Sequence, residues 1–177
     1  MNKKLLLVRH AEFDKVEEMN DFPGPMLNDI GLNQSILLSD YLNSYLLKFN
    51  IVTSDFTRCI QTIQPFVVSQ KSVALTEPIL RERNPLKEPH LSLDKRVKDW
   101  FRSNLSNLIK SDTIIVSHCG PINMILEEIN ENHKSISYNY EDSFLCHTPK
   151  AGIWEIDIIN NKMSTIQLKT FPYTIIE

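Results

Sequence analysis

The chain has 177 residues, 42% of them hydrophobic and 23% charged, a balance that suits one globular domain over residues 1–177 and excludes a disordered chain. Nineteen Lys+Arg against 22 Asp+Glu leave a formal charge of -3, which excludes a broad basic field for nucleic acid but permits a local basic pocket. The longest apolar runs, such as Leu5-Leu6-Leu7-Val8, are too short for a membrane span or a signal-peptide core, and Cys59, Cys119 and Cys146 form neither a disulfide framework nor a CxxC pair, so the expected setting is the cytoplasm.

In chain order, Lys4–Val8 reads as a buried strand. Asn28 is placed to cap a helix with Leu37, Leu38, Tyr41, Leu42, Tyr45 and Leu46 on its apolar face. Asn50–Thr53 is a second strand; Ser54 or Asp55 would cap the next helix, which carries Phe56, Ile60, Ile63 and Val67 and which Pro65 should kink or shorten. Ser72–Leu75 is a weaker strand. Ser92 opens a long helix through Val97, Trp100, Phe101, Leu105, Leu108 and Ile109. Thr113–Val116 is a β-branched strand, and Pro121 suits the first turn of the helix that follows. Gly152–Ile158 and Lys162–Leu168 alternate around Asn160-Asn161, a hairpin pattern. The expected class is α/β: a three-layer α/β/α arrangement with a mainly parallel sheet and an antiparallel edge hairpin. Residues 12–27 and 131–150 show no period, and unpatterned stretches this long are often functional.

Ligands of open α/β sheets bind beyond the carboxyl ends of the strands. There the sequence places Arg9-His10, then Ser54 with Arg58 one turn on, then Ser117-His118 before Gly120 and a helix start. Two histidines and two arginines gathered at strand ends repel one another unless an anion joins them, and a phosphoryl group suits arginine's paired donors. Taken singly, each is ordinary: a strand-end histidine, a solvated arginine, a serine cap. Their joint placement is what points to a phosphate pocket.

Leu7-Val8-Arg9-His10-Ala11-Glu12 resembles the Arg-His-Gly signature of the histidine phosphatase superfamily, the group of phosphoglycerate mutases and acid phosphatases. Leu27–Gly31, Thr53–Thr62, Leu80-Arg81-Glu82-Arg83 and Val116-Ser117-His118-Cys119-Gly120 are similar to four further family segments in order and spacing. The resemblance implies a phosphoglycerate mutase-like fold, His10 as nucleophile, Arg9, Arg58 and His118 as phosphate ligands, and Glu82 as general acid, with Glu12 as runner-up. A neutral imidazole is a competent nucleophile near pH 7, and His118 would serve best as a cation. The chain departs from the pattern at Ala11, Phe13, Val16, Asn84-Pro85, Cys119 and Asn123, which touches substrate identity more than core chemistry.

The expected activity is hydrolysis of phosphomonoesters, protein phosphohistidine included, through a phosphohistidine intermediate. Phosphoglycerate mutase-type transfer and a non-catalytic phospho-ligand module are the alternatives. A cysteine phosphatase is disfavoured, because Ile125 stands where its arginine is needed after Cys119. His90, His133 and His147 lack metal-ligand spacing, so neither metal nor cofactor is expected. Partners would be a phosphorylated small molecule or phosphoprotein, without nucleic acid or membrane. His147 or Thr148 could line the pocket, and Glu17, Glu18 and Asp21 could screen its entrance.

Overall fold

The computed structural model describes residues 2–132, 137–138 and 148–169. Its elements are β1 (Lys3–Arg9), α1 (Asp29–Ser44), β2 (Asn50–Thr53), α2 (Thr57–Ser69), β3 (Ala74–Thr76), α3 (His90–Leu108), β4 (Thr113–Ser117), α4 (Cys119–Asn132), β5 (Ser137–Tyr138), β6 (Ile153–Ile159) and β7 (Lys162–Lys169). A single sheet runs β3-β2-β4-β1-β6-β7-β5. β3, β2, β4 and β1 are mutually parallel, and the β6–β7 hairpin joins antiparallel to β1. The two-residue β5 lies outside the hairpin, parallel to β7.

Alternation along β1 builds the two cores. Leu5 and Leu7 face α3 and α4 through Val97, Phe101, Ile122 and Ile125. Leu6 and Val8 face α1 and α2 through Leu38, Leu42, Ile63 and Phe66. A strand buried on both faces has no need of polar alternation, and Lys4–Val8 has none. Asn160 and Asn161 both adopt positive φ, 53° and 59°, the conformation a two-residue hairpin turn demands and asparagine tolerates.

Three local expectations change. The buried face of α1 is Gly31, Gln34, Ser35, Leu38, Ser39 and Leu42, whereas Leu37 is 51% and Leu46 92% exposed. The helix is turned toward α2 and the loop before it, where polar side chains have backbone partners to satisfy. Neither Ser54 nor Asp55 caps α2, whose N-cap is Phe56 with no side-chain cap; Ser54 bonds His118 and Asp55 pairs with Arg81. Pro65 does not shorten α2, which runs on to Ser69. No described helix is long and apolar enough to cross a membrane.

Candidate active site

The site forms where β1, β2 and β4 end side by side. Arg9 stands opposite Ser117, and Thr53 opposite Val116. The ladder continues one step further: His10 N–H donates to the Ser117 carbonyl (2.9 Å) and Ser54 N–H to the Val116 carbonyl (2.8 Å). His10, Ser54 and His118 thus leave three neighbouring strands at the same level.

His10 is 3% exposed yet forms part of the wall of a cavity of about 570 Å³. Its Nδ1–H donates to the Ala11 carbonyl at 2.8 Å. A carbonyl only accepts, so this bond fixes the tautomer and leaves Nε2 with its lone pair. Burial, then the positive charges of Lys150, Arg58 and Arg9, holds the imidazole well below the usual histidine range. The ring is neutral across physiological pH.

The arginines are half committed. Arg9 Nη1 donates to the Thr148 carbonyl (2.6 Å). Arg58 Nη1 donates to the Met19 carbonyl (2.7 Å) and Nη2 to Asn20 Oδ1 (3.2 Å), while its guanidinium lies 4.9 Å from the Phe13 ring centre and 4.6 Å from that of Phe56. Among the described residues, two buried side-chain polar atoms have no hydrogen-bond partner: Arg9 Nε and Arg58 Nε. Both belong to guanidiniums of the cavity wall. Buried unpaired donors are costly and rare, so two on one cavity mark a place built for an acceptor.

Glu82 faces the same cavity. Its flanking arginines are engaged elsewhere, Arg81 with both oxygens of Asp55 and Arg83 with the Glu88 carbonyl. The Glu82 carboxylate turns inward, accepting from Arg83 N–H (2.9 Å) and Gly120 N–H (3.0 Å). Gly120 permits the approach, since a Cβ there would lie 2.4 Å from Glu82 Oε1. Glu12 is a second wall carboxylate, held close by Gly31, where a Cβ would meet the Glu12 carbonyl oxygen at 2.0 Å.

His118 differs from expectation. Its ring centre lies 5.0 Å from that of His10, but it is fully buried and absent from the cavity wall. Its Nε2 bonds Ser54 Oγ at 3.0 Å. Burial first, then His10, Arg58, Arg9 and Lys150, holds it well below the ordinary range. It backs His10 from behind.

Sequence reasoning missed Lys150, which lines the cavity together with Arg9, His10 and Arg58. The only signal was the unpatterned stretch that ends with it. Phe13 is buried beneath Arg58 and Lys150, whereas Val16 is exposed. Asn84 bonds Asp21, which also pairs with Lys87; Glu17 and Glu18 are exposed and off the cavity wall. Thr148 contributes its carbonyl to Arg9 and its Oγ1 to Trp154. His133, Cys146 and His147 lie outside the described residues. Burial pushes the Cys59 thiol up to about 12, which removes it as a nucleophile. Among the described residues no three His, Cys, Asp or Glu side chains are grouped to hold a metal ion.

Residues 5–87 match the model of the histidine phosphatase superfamily, branch 1. No curated protein matches the chain. Among solved structures, mycobacterial glucosyl-3-phosphoglycerate phosphatase superposes with a TM-score of 0.70 at 13% identity, covering 97% of this chain and 99% of that one. Structures of that phosphatase with inorganic phosphate and with VO3 superpose at 0.68 and 0.69. Phosphoglycerate mutase from Bacillus anthracis gives 0.71 at 14% identity, covering 92% and 91%. Residues 5–87 thus carry the pattern of the histidine phosphatase superfamily, on a chain whose fold is phosphoglycerate mutase-like.

Proposed function

We propose that the protein is a phosphatase that hydrolyses phosphomonoesters through a phosphohistidine on His10. The observation that carries this is the pair of buried, unpartnered guanidinium nitrogens, Arg9 Nε and Arg58 Nε, on the cavity wall that also presents His10. Its tautomer leaves Nε2 to attack phosphorus. The P–O bond to the leaving group breaks as the N–P bond forms. Glu82 delivers a proton to the departing alkoxide. Water then cleaves the N–P bond, its proton returning to Glu82, and inorganic phosphate leaves. Arg9 and Arg58 hold the phosphoryl oxygens throughout, the positioning and charge stabilisation on which phosphoryl transfer depends. His118 sustains the imidazole from behind, and the dianion offsets part of the cost of charging it.

The cavity is open to solvent, which favours transfer to water over return to a product. Substrates would be phosphorylated small molecules or phosphoproteins, phosphohistidine among them, without nucleic acid or membrane. The buried, unpaired thiol of Cys59 suits a reducing compartment, and cytoplasmic action is part of the proposal.

Acid-quench trapping with a labelled phosphomonoester tests it. We expect an acid-labile, base-stable phosphoryl adduct, lost in His10→Ala together with turnover of p-nitrophenyl phosphate. Label persisting in His10→Ala would exclude His10 as the nucleophile. Isomerisation of phosphoglycerate exceeding hydrolysis would favour the mutase.

A further inference from the structure

We propose that Lys150 is a phosphoryl-positioning residue, its ammonium seated on the Phe13 ring beside Glu12 and exchanging that carboxylate for the oxygens of the bound phosphoryl group. The inference rests on the phosphatase reading and adds to it a cation from the far end of the chain.

The backbone places Lys150 with little freedom. Pro149–Gly152 form a tight turn closed by Gly152 N–H to the Pro149 carbonyl (2.9 Å). Ala151 sits within it at φ 55°, a left-handed conformation that is strained for a residue with a Cβ. Two bonds weld the turn to the nucleophile's own strand end: Ala151 N–H to the His10 carbonyl (3.2 Å) and Arg9 N–H to the Gly152 carbonyl (3.1 Å). A Cβ on Gly152 would lie 2.8 Å from Pro149 Cγ, so the turn tolerates no larger residue there. Lys150 therefore moves with His10.

Its side chain is 20% exposed. The ammonium lies 4.0 Å from the centre of the Phe13 ring, a cation–π seat, and 3.7 Å from Glu12 Oε1. The second distance is too long for a strong hydrogen bond, so this pair is loose and readily exchanged. Phe13 is one of the chain's departures from the family pattern, and the lysine over its face sets a positive charge there.

The charged and titratable groups facing Lys150 are Arg9, Arg58, Glu12 and His10, with His118 behind and Lys15, Glu82 and Arg83 around the rest of the wall. Burial, then Arg9 and Arg58, depresses the ammonium, and Glu12 holds it up, leaving it at about 8. Lys150 is thus cationic at neutral pH and loses its charge at a pH where the arginines keep theirs.

Titration calorimetry with inorganic phosphate, from pH 7 to 9.5, reads this directly. Wild-type affinity should decline above pH 8. Lys150→Met should weaken phosphate about tenfold or more at pH 7, the worth of a charge-assisted bond, and abolish the decline. Lys150→Arg should restore affinity and stay flat to pH 9.5. Glu12→Gln should shift the decline to lower pH, an effect no merely structural lysine produces. Lys150→Met binding like wild type, or a decline persisting in Lys150→Arg, would overturn the assignment; the second measurement stands even if the Met variant fails to fold. Wild-type protein that forms the His10 adduct while both variants behave normally would overturn this inference alone. Wild-type protein that binds no phosphate would overturn it together with the phosphatase reading.

Discussion

The two faces of the sheet are built on different chemistry. Between β1 and the pair α3–α4, contact is aliphatic and aromatic: Leu93, Val97 and Phe101 against Ile122, Ile125 and Ile129. Beneath α1 and α2 there is an apolar layer too, but at the ends nearest the site the buried and half-buried side chains are polar. Gln34 Oε1 takes the Glu12 N–H, Thr62 Oγ1 the Ala11 N–H, and Gln61 Oε1 the Leu27 N–H, each at 2.8 Å. Thr62 in turn donates to the Arg58 carbonyl at 2.6 Å. One face supplies cohesion. The other pins the backbone around His10, because residues 11–27 leave the sheet ladder and their N–H groups need partners.

The contrast breaks most visibly on the aliphatic side. Phe101→Ala should cost about 3–5 kcal/mol in denaturant unfolding through lost burial and a cavity, while kcat/KM of the folded fraction stays near wild type. A large activity loss at full folding would erase the distinction between the faces. Thr62→Val, nearly isosteric, strands the Ala11 N–H and should cost about 1–3 kcal/mol. Its effect on turnover should be larger in proportion, about tenfold to hundredfold, since His10 adjoins the released amide. Unchanged turnover would show that the pinning is irrelevant to the chemistry.

Proton linkage sharpens the comparison further. His10 and His118 are both depressed in the fold, so below about pH 6.5 the unfolded chain binds protons that the folded chain refuses. Stability contributed by the neutral rings is complete above that pH and falls as the solution acidifies toward the lowered folded values. His118→Asn should flatten the fall in thermal midpoint between pH 6.5 and 5 relative to wild type; identical slopes would refute the burial argument. The smallest expected effect is a rate: Cys59, at about 12, should resist iodoacetamide at pH 8 in the native protein and react on unfolding.

Elements with a local cause were readable in advance. Lys4–Val8, the Asn28 cap, which accepts from Gly31 N–H at 2.9 Å, and the Asn160-Asn161 turn each follow from the chemistry of adjacent residues. The gathering of Arg9, His10 and Arg58 was readable for a related reason, since strand ends in a parallel sheet meet. Other assignments depended on residues far away. Ser54 is a plausible cap until His118, 64 positions on, takes its hydroxyl. Leu37 and Leu46 fit an apolar stripe until α2 settles against the polar side of α1. Glu82 looks like a solvated charge until Asp55 and Glu88 occupy its neighbours.

Local pattern, strand-end geometry and motif order were therefore enough to bring residues 9–10, 58 and 82 to one cavity wall. Folding alone chose which side chains reach it: it sealed His118 away, committed half of each arginine to loop carbonyls and brought Lys150 against Phe13. The physical reason is that periodicity and capping are short-range, whereas burial, charge and hydrogen-bond supply at a site are set by whatever long-range neighbours the chain packs around it.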